Sequence, residues 1–174
     1  MMINARGLVA IAAFGGMALA ACSSATKSAE PAGGGGNANT VVAERDVSGA
    51  GQVLTDNSGK TLYMSDQEMS GKLICTTKEC QTFWTPLTVD NGQKPTGPSD
   101  VSAMLATVTR PDGSKQVTLK GAPLYTFSFD HAAGDAMGNN FKDSFDGVHF
   151  TWHAATASGA AAPAPSSSSD GGGY

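Results

Sequence analysis

Apolar residues along the chain fall into two arrangements, one continuous run near the N-terminus and many short alternating runs further on. The continuous run, residues 8–19, is shorter than the roughly 20 residues that a membrane-spanning helix needs. It also contains Gly15-Gly16, which lowers helix propensity. Because Arg6 supplies a positive charge before it, the run predicts a signal peptide over residues 1–21.

The end of this run is similar to the cleavage site of bacterial lipoproteins. Leu19-Ala20-Ala21 precede Cys22, the position that takes a diacylglycerol in such proteins. Two or more acyl chains such as palmitate on Cys22 would hold the chain stably on a membrane. The expected partner is therefore a lipid bilayer, and the expected location is the extracytoplasmic face of the cell membrane or cell envelope.

The segments on either side of the central region contain few large apolar residues. Residues 22–46 include the run Gly33–Gly36, and residues 156–174 are rich in alanine, proline, serine and glycine. Such segments bury too little surface to offset the entropy of ordering them. The sequence therefore predicts a lipidated flexible tether, a folded domain over residues 47–155 and a disordered tail.

Within the central region, short apolar runs are separated by turn signals rich in Gly, Pro, Asn and Asp. The predicted strands are Gln52–Leu54, Thr61–Met64, Leu105–Thr109, Lys115–Leu119, Leu124–Phe129 and Val148–His153. A short helix is predicted at Ser99–Leu105, where Ser99 or Asp100 can cap the first turn. The predicted fold is a single, mainly antiparallel all-β domain flanked by disordered tails.

The domain contains an internal repeat, with copies at about 50–90 and 103–154. Gly59–Tyr63 aligns with Gly121–Tyr125, and an acidic residue, Glu68 or Asp130, follows each tyrosine by five positions. Trp84 and Trp152 close the two copies. The second copy is longer by about six residues, placed in a predicted loop over 130–146.

This pattern resembles bacterial secreted lipoproteins built from tandem repeats with a Tyr-x-[Phe/Trp/Tyr]-x-x-Asp motif, a secreted repeat of unknown function. Tyr125–Asp130 fits the motif in full, whereas the first copy has Ser65 and Glu68 at two motif positions. The segments that also resemble the family are Cys75 and Cys80 before Phe83–Leu87, Gly134-Asp135, and Trp152-His153. The resemblance implies a tandem-repeat architecture and no particular activity.

The cysteine count bears on the compartment. With Cys22 lipidated, Cys75 and Cys80 remain as an even pair outside the cell, where disulfides form and persist. We therefore predict a Cys75–Cys80 disulfide.

The motif aromatics admit two interpretations. Tyr125, Phe127 and Phe129 share one face of an extended strand, where they would either form a small core or present a platform to a sugar or other flat ligand. The core interpretation is favoured, with Tyr63 and Glu68 as the corresponding residues of the first copy. Asp130 is expected to bind loop amides rather than act as a catalytic acid.

Charge and motifs argue against several function classes. The net charge of −4 and the absence of Lys and Arg clusters argue against nucleic-acid binding. The sequence has no Gly-x-Ser-x-Gly elbow, no P-loop and no dinucleotide-binding glycine pattern. No cofactor is expected, although a carboxylate pair across a cleft would still permit a cell-envelope hydrolase.

A metal site is a further alternative. His131, His149, His153 and Met137 carry nitrogen and sulfur donors suited to copper, but an extended strand holds His149 and His153 about 13 Å apart. Calcium would use oxygen donors from Asp130, Asp135, Asn139, Asn140, Asp143 and Asp146, which lack EF-hand order. We therefore predict that no metal binds residues 47–155 tightly.

The sequence favours an exported, lipid-anchored protein with a non-catalytic binding or structural β module, whose partner is an unspecified envelope ligand or protein. The alternatives are a metal-binding or redox accessory lipoprotein and a cell-envelope hydrolase.

Overall fold

The computed structural model describes residues 41–164. Its strands are β1 Val42–Val47, β2 Gly51–Asp56, β3 Tyr63–Ser65, β4 Trp84–Pro86, β5 Thr88–Val89, β6 Leu105–Thr109, β7 Lys115–Leu119, β8 Ala122–Pro123, β9 Tyr125–Phe127, β10 Phe141–Phe145 and β11 Val148–Ala154. Its helices are α1 Lys78–Phe83, α2 Ser99–Ser102 and a 3-10 turn at Asp66–Glu68. Cys22, the predicted signal peptide and residues 165–174 lie outside the described residues.

The strands form three sheets in which the observed pairings are antiparallel, as predicted. β1 and β2 form a two-stranded ribbon, and the largest sheet has the order β10-β11-β3-β9-β4. In the third sheet β7 lies between β5 and β6, and β8 also pairs with β7. The prediction of an all-β, mainly antiparallel fold is therefore confirmed.

Two tight hairpins organise the second half of the domain. Lys120-Gly121 joins β7 to β8, and Asp146-Gly147 joins β10 to β11. All four residues have positive φ, between 50° and 90°. Two consecutive residues of positive φ give a type I′ turn, whose twist matches that of the strands it connects.

Two hydrophobic cores lie on opposite faces of the central strands. The aromatic core contains Tyr63, Trp84, Tyr125, Phe127, Phe150 and Trp152, together with smaller residues. The aliphatic core contains Leu54, Leu62, Met64, Val117, Leu119 and Leu124, among others. Neighbouring residues of one strand enter different cores, as Tyr63 and Met64 do, because successive side chains point to opposite faces.

The ordered region is wider than the predicted range of 47–155. β1 begins at Val42, and Val42 and Val47 are buried in the aliphatic and aromatic cores respectively. After the predicted domain end, Ala161 bridges Ala155 and Ala162 is buried. The interior of β1 is charged and exposed, which is why its sequence resembles a tether.

The extra segment of the second copy is also more regular than expected. The predicted loop over 130–146 contains β10, which pairs with β11 through Phe141↔Trp152 to Phe145↔Val148. In the first copy α1 occupies the corresponding place before Trp84. The two copies thus differ in the element that leads to the closing tryptophan.

The predicted disulfide joins Cys75 to Cys80. It ties the segment after the 3-10 turn to the first turn of α1, where the Thr77 side chain accepts a hydrogen bond from the Cys80 amide at 3.4 Å. A loop of this size should stabilise the fold by about 2 kcal/mol through restriction of the unfolded chain.

Residues 41–164 contain no helix of the length and apolar character needed to cross a bilayer.

Candidate functional site

The two copies of the repeat interlock instead of folding side by side. β3 of the first copy pairs antiparallel with β9 of the second, with Tyr63 opposite Tyr125. Trp84 lies opposite Phe127, so the closing strand of the first copy pairs with the motif strand of the second. Trp152 lies opposite Ser65 in the reciprocal arrangement. The copies are therefore related by approximate two-fold symmetry around the Tyr63–Tyr125 pair.

The tyrosine of the first copy binds the carboxylate of the second. The Tyr63 hydroxyl donates to Asp130 Oδ2 at 2.6 Å, and the Met137 amide donates to Asp130 Oδ1 at 2.9 Å. The Gly138 amide donates in turn to the Tyr63 hydroxyl at 3.3 Å. Asp130 is buried, and its carboxylate links Met137 in the long loop to Tyr63 in the other copy.

The tyrosine of the second copy binds the carboxylate of the first. The Tyr125 hydroxyl donates to Glu68 Oε1 at 3.2 Å, where the amides of Ile74 and Cys75 also donate, at 2.5 and 2.9 Å. The Ser65 hydroxyl donates to Glu68 Oε2 at 3.1 Å. The acidic residue and the amide it binds are seven positions apart in both copies, Glu68 to Cys75 and Asp130 to Met137.

The electrostatics of these pairs follow from their burial. Burial, reinforced by the charge of the facing carboxylate, raises the pKa of Tyr63 and Tyr125 well above the ordinary tyrosine value. Burial likewise raises the pKa of Asp130, although the Tyr63 hydroxyl and the Met137 amide oppose this shift. The phenols are therefore held neutral as hydrogen-bond donors, which is the role that the geometry requires.

This state of the phenols gives a testable pH dependence. A folded-state pKa above the unfolded value contributes stability below about pH 10 that is lost as the pH rises further. We expect Tyr63 and Tyr125 to ionise only as the fold is lost in alkali, so tyrosinate absorbance and circular dichroism should change together. The Tyr63→Phe/Tyr125→Phe double variant should lack the step that accompanies unfolding and keep only the absorbance change of Tyr174, the third tyrosine of the chain. Gradual ionisation of both residues in folded protein would contradict the geometry.

The closing tryptophans of the two copies meet in the aromatic core. Trp84 and Trp152 stack with ring centroids 3.9 Å apart, and Phe127 stacks on Trp84 at 4.2 Å. Both indole N–H groups donate to one carboxylate, from Trp84 to Asp143 Oδ2 at 2.7 Å and from Trp152 to Asp143 Oδ1 at 2.9 Å. Asp143 thus provides a third hydrogen-bonded link between the copies, after Tyr63–Asp130 and Tyr125–Glu68.

The long loop packs against this core through a glycine. A Cβ at Gly138 would lie 2.9 Å from ring atoms of both Tyr63 and Trp84. These rings are fully buried and have no room to move aside. The backbone of the loop therefore approaches the rings closely enough for its Gly138 amide to reach the Tyr63 hydroxyl.

Arg110 is a buried residue that the sequence reading missed. Its guanidinium donates to the Gln116 side chain and to the Cys75 carbonyl, the latter at 2.8 Å. It is 3% exposed and lies near Tyr125, whose pKa it acts to lower. The surrounding Arg-Pro-Asp-Gly sequence indicates a turn, and no local pattern distinguishes its arginine from an exposed one.

The predicted site residues do not gather in one cleft. Tyr125 and Phe127 are buried, whereas Phe129, expected on the same face, is 45% exposed because β9 ends at Phe127. His131 and His149 are exposed.

Three of the oxygen donors considered for calcium bind different partners. Asp130 binds Tyr63, Asp143 binds the tryptophans, and Asp135 accepts the amides of His131 and Ala132. No group of three or more His, Cys, Asp and Glu side chains suited to a metal occurs within residues 41–164.

Comparison with known proteins bears on the second copy. Residues 106–156 match a family model described as a secreted repeat of unknown function. The resemblance seen in the sequence is confirmed. The matched secreted repeat runs from β6 to just beyond β11 and includes Tyr125, Asp130 and Trp152. No curated protein and no solved structure matches the chain.

The structure gives the secreted-repeat motif a physical meaning. Its tyrosine and its acidic residue do not bind each other within one copy, but each binds the counterpart in the other copy. Its second aromatic, Phe127, packs on the tryptophan of the other copy. Where the first copy has Ser65 instead, the hydroxyl donates to Glu68. The motif therefore specifies how two repeats assemble.

Proposed function

We propose that the chain is an exported lipoprotein, anchored through acylated Cys22, whose paired repeats form a non-catalytic module for binding at the cell envelope. The observation that carries the proposal is that the motif residues are buried and hydrogen-bond to each other. Glu68 and Asp130 are 0% and 1% exposed, and their oxygens accept hydrogen bonds from tyrosine and serine hydroxyls and from backbone amides. A catalytic carboxylate must reach its substrate, and neither of these two does.

The surface of the module supports a binding role. Phe129 and Phe141 are 45% and 37% exposed, and both rings lie beside the buried Phe127, at 5.3 and 5.0 Å. Phe83 extends the same edge through its contact with Phe129 at 6.0 Å. These partly exposed rings support the proposal that a flat ligand binds at this edge, while the inner aromatics of the motif form the core.

The anchoring part of the proposal is tested by cell fractionation. We expect the wild-type chain in the membrane fraction and the Cys22→Ala variant in the soluble extracytoplasmic fraction, because the variant has no acceptor for acyl chains. The Cys75→Ala/Cys80→Ala variant is the matched control, since it loses cysteines without losing the anchor and should stay with the membrane. Membrane retention of Cys22→Ala would refute lipid anchoring.

A further inference from the structure

A second group of chemically distinctive residues lies on the face of the large sheet opposite to the aromatic core. Met64 on β3 and His153 on β11 are directly opposite each other in the strand register. Directly opposed residues of antiparallel strands have Cβ atoms about 4.5–5.5 Å apart and point to the same face. Pairing of the two repeats therefore places an imidazole next to a buried thioether.

The two nitrogens of the His153 ring have different surroundings. Its Nε2 lies 3.2 Å from Asp66 Oδ1, and its side chain is 17% exposed. Its Nδ1 is buried and has no hydrogen-bond partner within residues 41–164. In the neutral ring, a carboxylate beside Nε2 accepts its N–H and leaves the lone pair on Nδ1, the arrangement that second-sphere carboxylates give to metal-binding histidines. A buried lone pair without a donor is a costly feature that a bound cation would relieve.

A second methionine completes the group. Met64, Asp66, Met69 and His153 line one small cavity of about 40 Å³, together with Ala161. The cavity is of the size of one water molecule or one ion. Met69 follows the 3-10 turn and is 46% exposed, so its flexible side chain can close over the cavity.

We propose that the His153 Nδ1 and the thioethers of Met64 and Met69 bind one soft monovalent cation, Cu(I) at the cell envelope. Neutral sulfur and imidazole ligands select Cu(I) over harder divalent ions. Asp66 orients the imidazole from outside the ligand set. The proposal goes beyond the binding module and its anchor. It departs from the prediction that no metal binds residues 47–155 tightly, which rested on the separation of His149 from His153 and on the lack of EF-hand order among the oxygen donors.

Ag(I) tests the site first, because it mimics Cu(I) and needs no reductant that would open the Cys75–Cys80 disulfide. The full-length chain carries Cys22→Ala in every sample, so that no free thiol competes, and is labelled at the methionine methyl carbons. We expect one equivalent of Ag(I) to shift the methyl resonances of Met64 and Met69 and to leave that of Met137 unchanged. Met137 is the control because it is 63% exposed and lines a different cavity.

Cu(I) affinity is then measured by competition with a chromophoric chelator under anaerobic conditions. Met69→Leu and His153→Ala should abolish stoichiometric binding, whereas Met137→Leu should bind as the wild type does. Asp66→Asn should weaken binding about 10- to 100-fold through the imidazole. Met69 is exposed, so its variant tests the site without disturbing the core. Equal shifts at Met69 and Met137, no shift at either, or unchanged Cu(I) affinity in Met69→Leu would overturn the proposal.

Discussion

Replacement of Phe127 by alanine is expected to lower the free energy of unfolding by about 3–5 kcal/mol, the usual cost of removing a fully buried aromatic ring. Phe127 is 2% exposed and packs on Trp84 at 4.2 Å and on Phe141 at 5.0 Å. Its loss leaves a cavity between the two repeats, where stacked rings have little freedom to collapse. Chemical denaturation followed by tryptophan fluorescence measures the change.

Phe129 provides the matched control because it lies two residues away in the same motif. Its ring is 45% exposed, so Phe129→Ala should lower the free energy of unfolding by much less than Phe127→Ala does. Equal losses in the two variants would mean that the motif aromatics form one buried face. An unchanged free energy of unfolding in Phe127→Ala would indicate that the ring lies at the surface. It would then favour the ligand-platform interpretation of the motif.

Replacement of Glu68 by alanine should destabilise the fold by more than about 3 kcal/mol. The carboxylate is fully buried and accepts hydrogen bonds from the Ile74 and Cys75 amides and from the Ser65 and Tyr125 hydroxyls. Each buried donor left without a partner costs about 1–3 kcal/mol. Thermal and chemical denaturation at neutral pH measure the sum.

Two further variants separate hydrogen bonding from charge in this prediction. Glu44→Ala removes an exposed carboxylate from β1 and should change stability by no more than about 0.5 kcal/mol. Glu68→Gln keeps the shape of the side chain but places an amide donor opposite other donors. We therefore expect it to lower stability more than Glu44→Ala and less than Glu68→Ala. A Glu68→Ala variant as stable as the wild type would show that the residue is not architectural and would reopen a catalytic role.

Some elements of the fold could be predicted from local sequence alone. β6 and β7 have the predicted bounds because their alternating residues end at clear turn signals, and the predicted helix is present as the short α2. The disulfide that the Cys75 and Cys80 pair predicts is also present. In these places the local pattern and the tertiary environment favour the same conformation.

Other elements depend on contacts that no local window contains. β1 carries its two valines, its only buried residues, at its ends, so its burial depends on two separate cores. β10 has an exposed Phe141 and charged neighbours, although Asp146-Gly147 after it is a strong hairpin signal that the sequence reading overlooked. Arg110 is buried because its guanidinium hydrogen-bonds to Gln116 and Cys75, which lie in other parts of the fold.

In the candidate sites, too, the residues can be predicted from sequence but their contacts cannot. The residues of the motif were identified from spacing, but spacing within one copy cannot reveal that Tyr63 binds Asp130 and Tyr125 binds Glu68. Spacing along one strand likewise relates His153 only to His149. The partner of His153 that matters, Met64, lies on another strand and in the other copy of the repeat.

The crossed hydrogen bonds also constrain the order of events during synthesis. The bonds that join the two copies span 67 and 57 residues of sequence, so neither copy has a satisfied interior until the other is available. Contacts of such separation form slowly, because a large loop must close before they add stability. We therefore expect a nascent first copy to remain unfolded until the second emerges. Export machinery that accepts only extended polypeptide would thus have time to engage the chain before a stable tertiary structure could form.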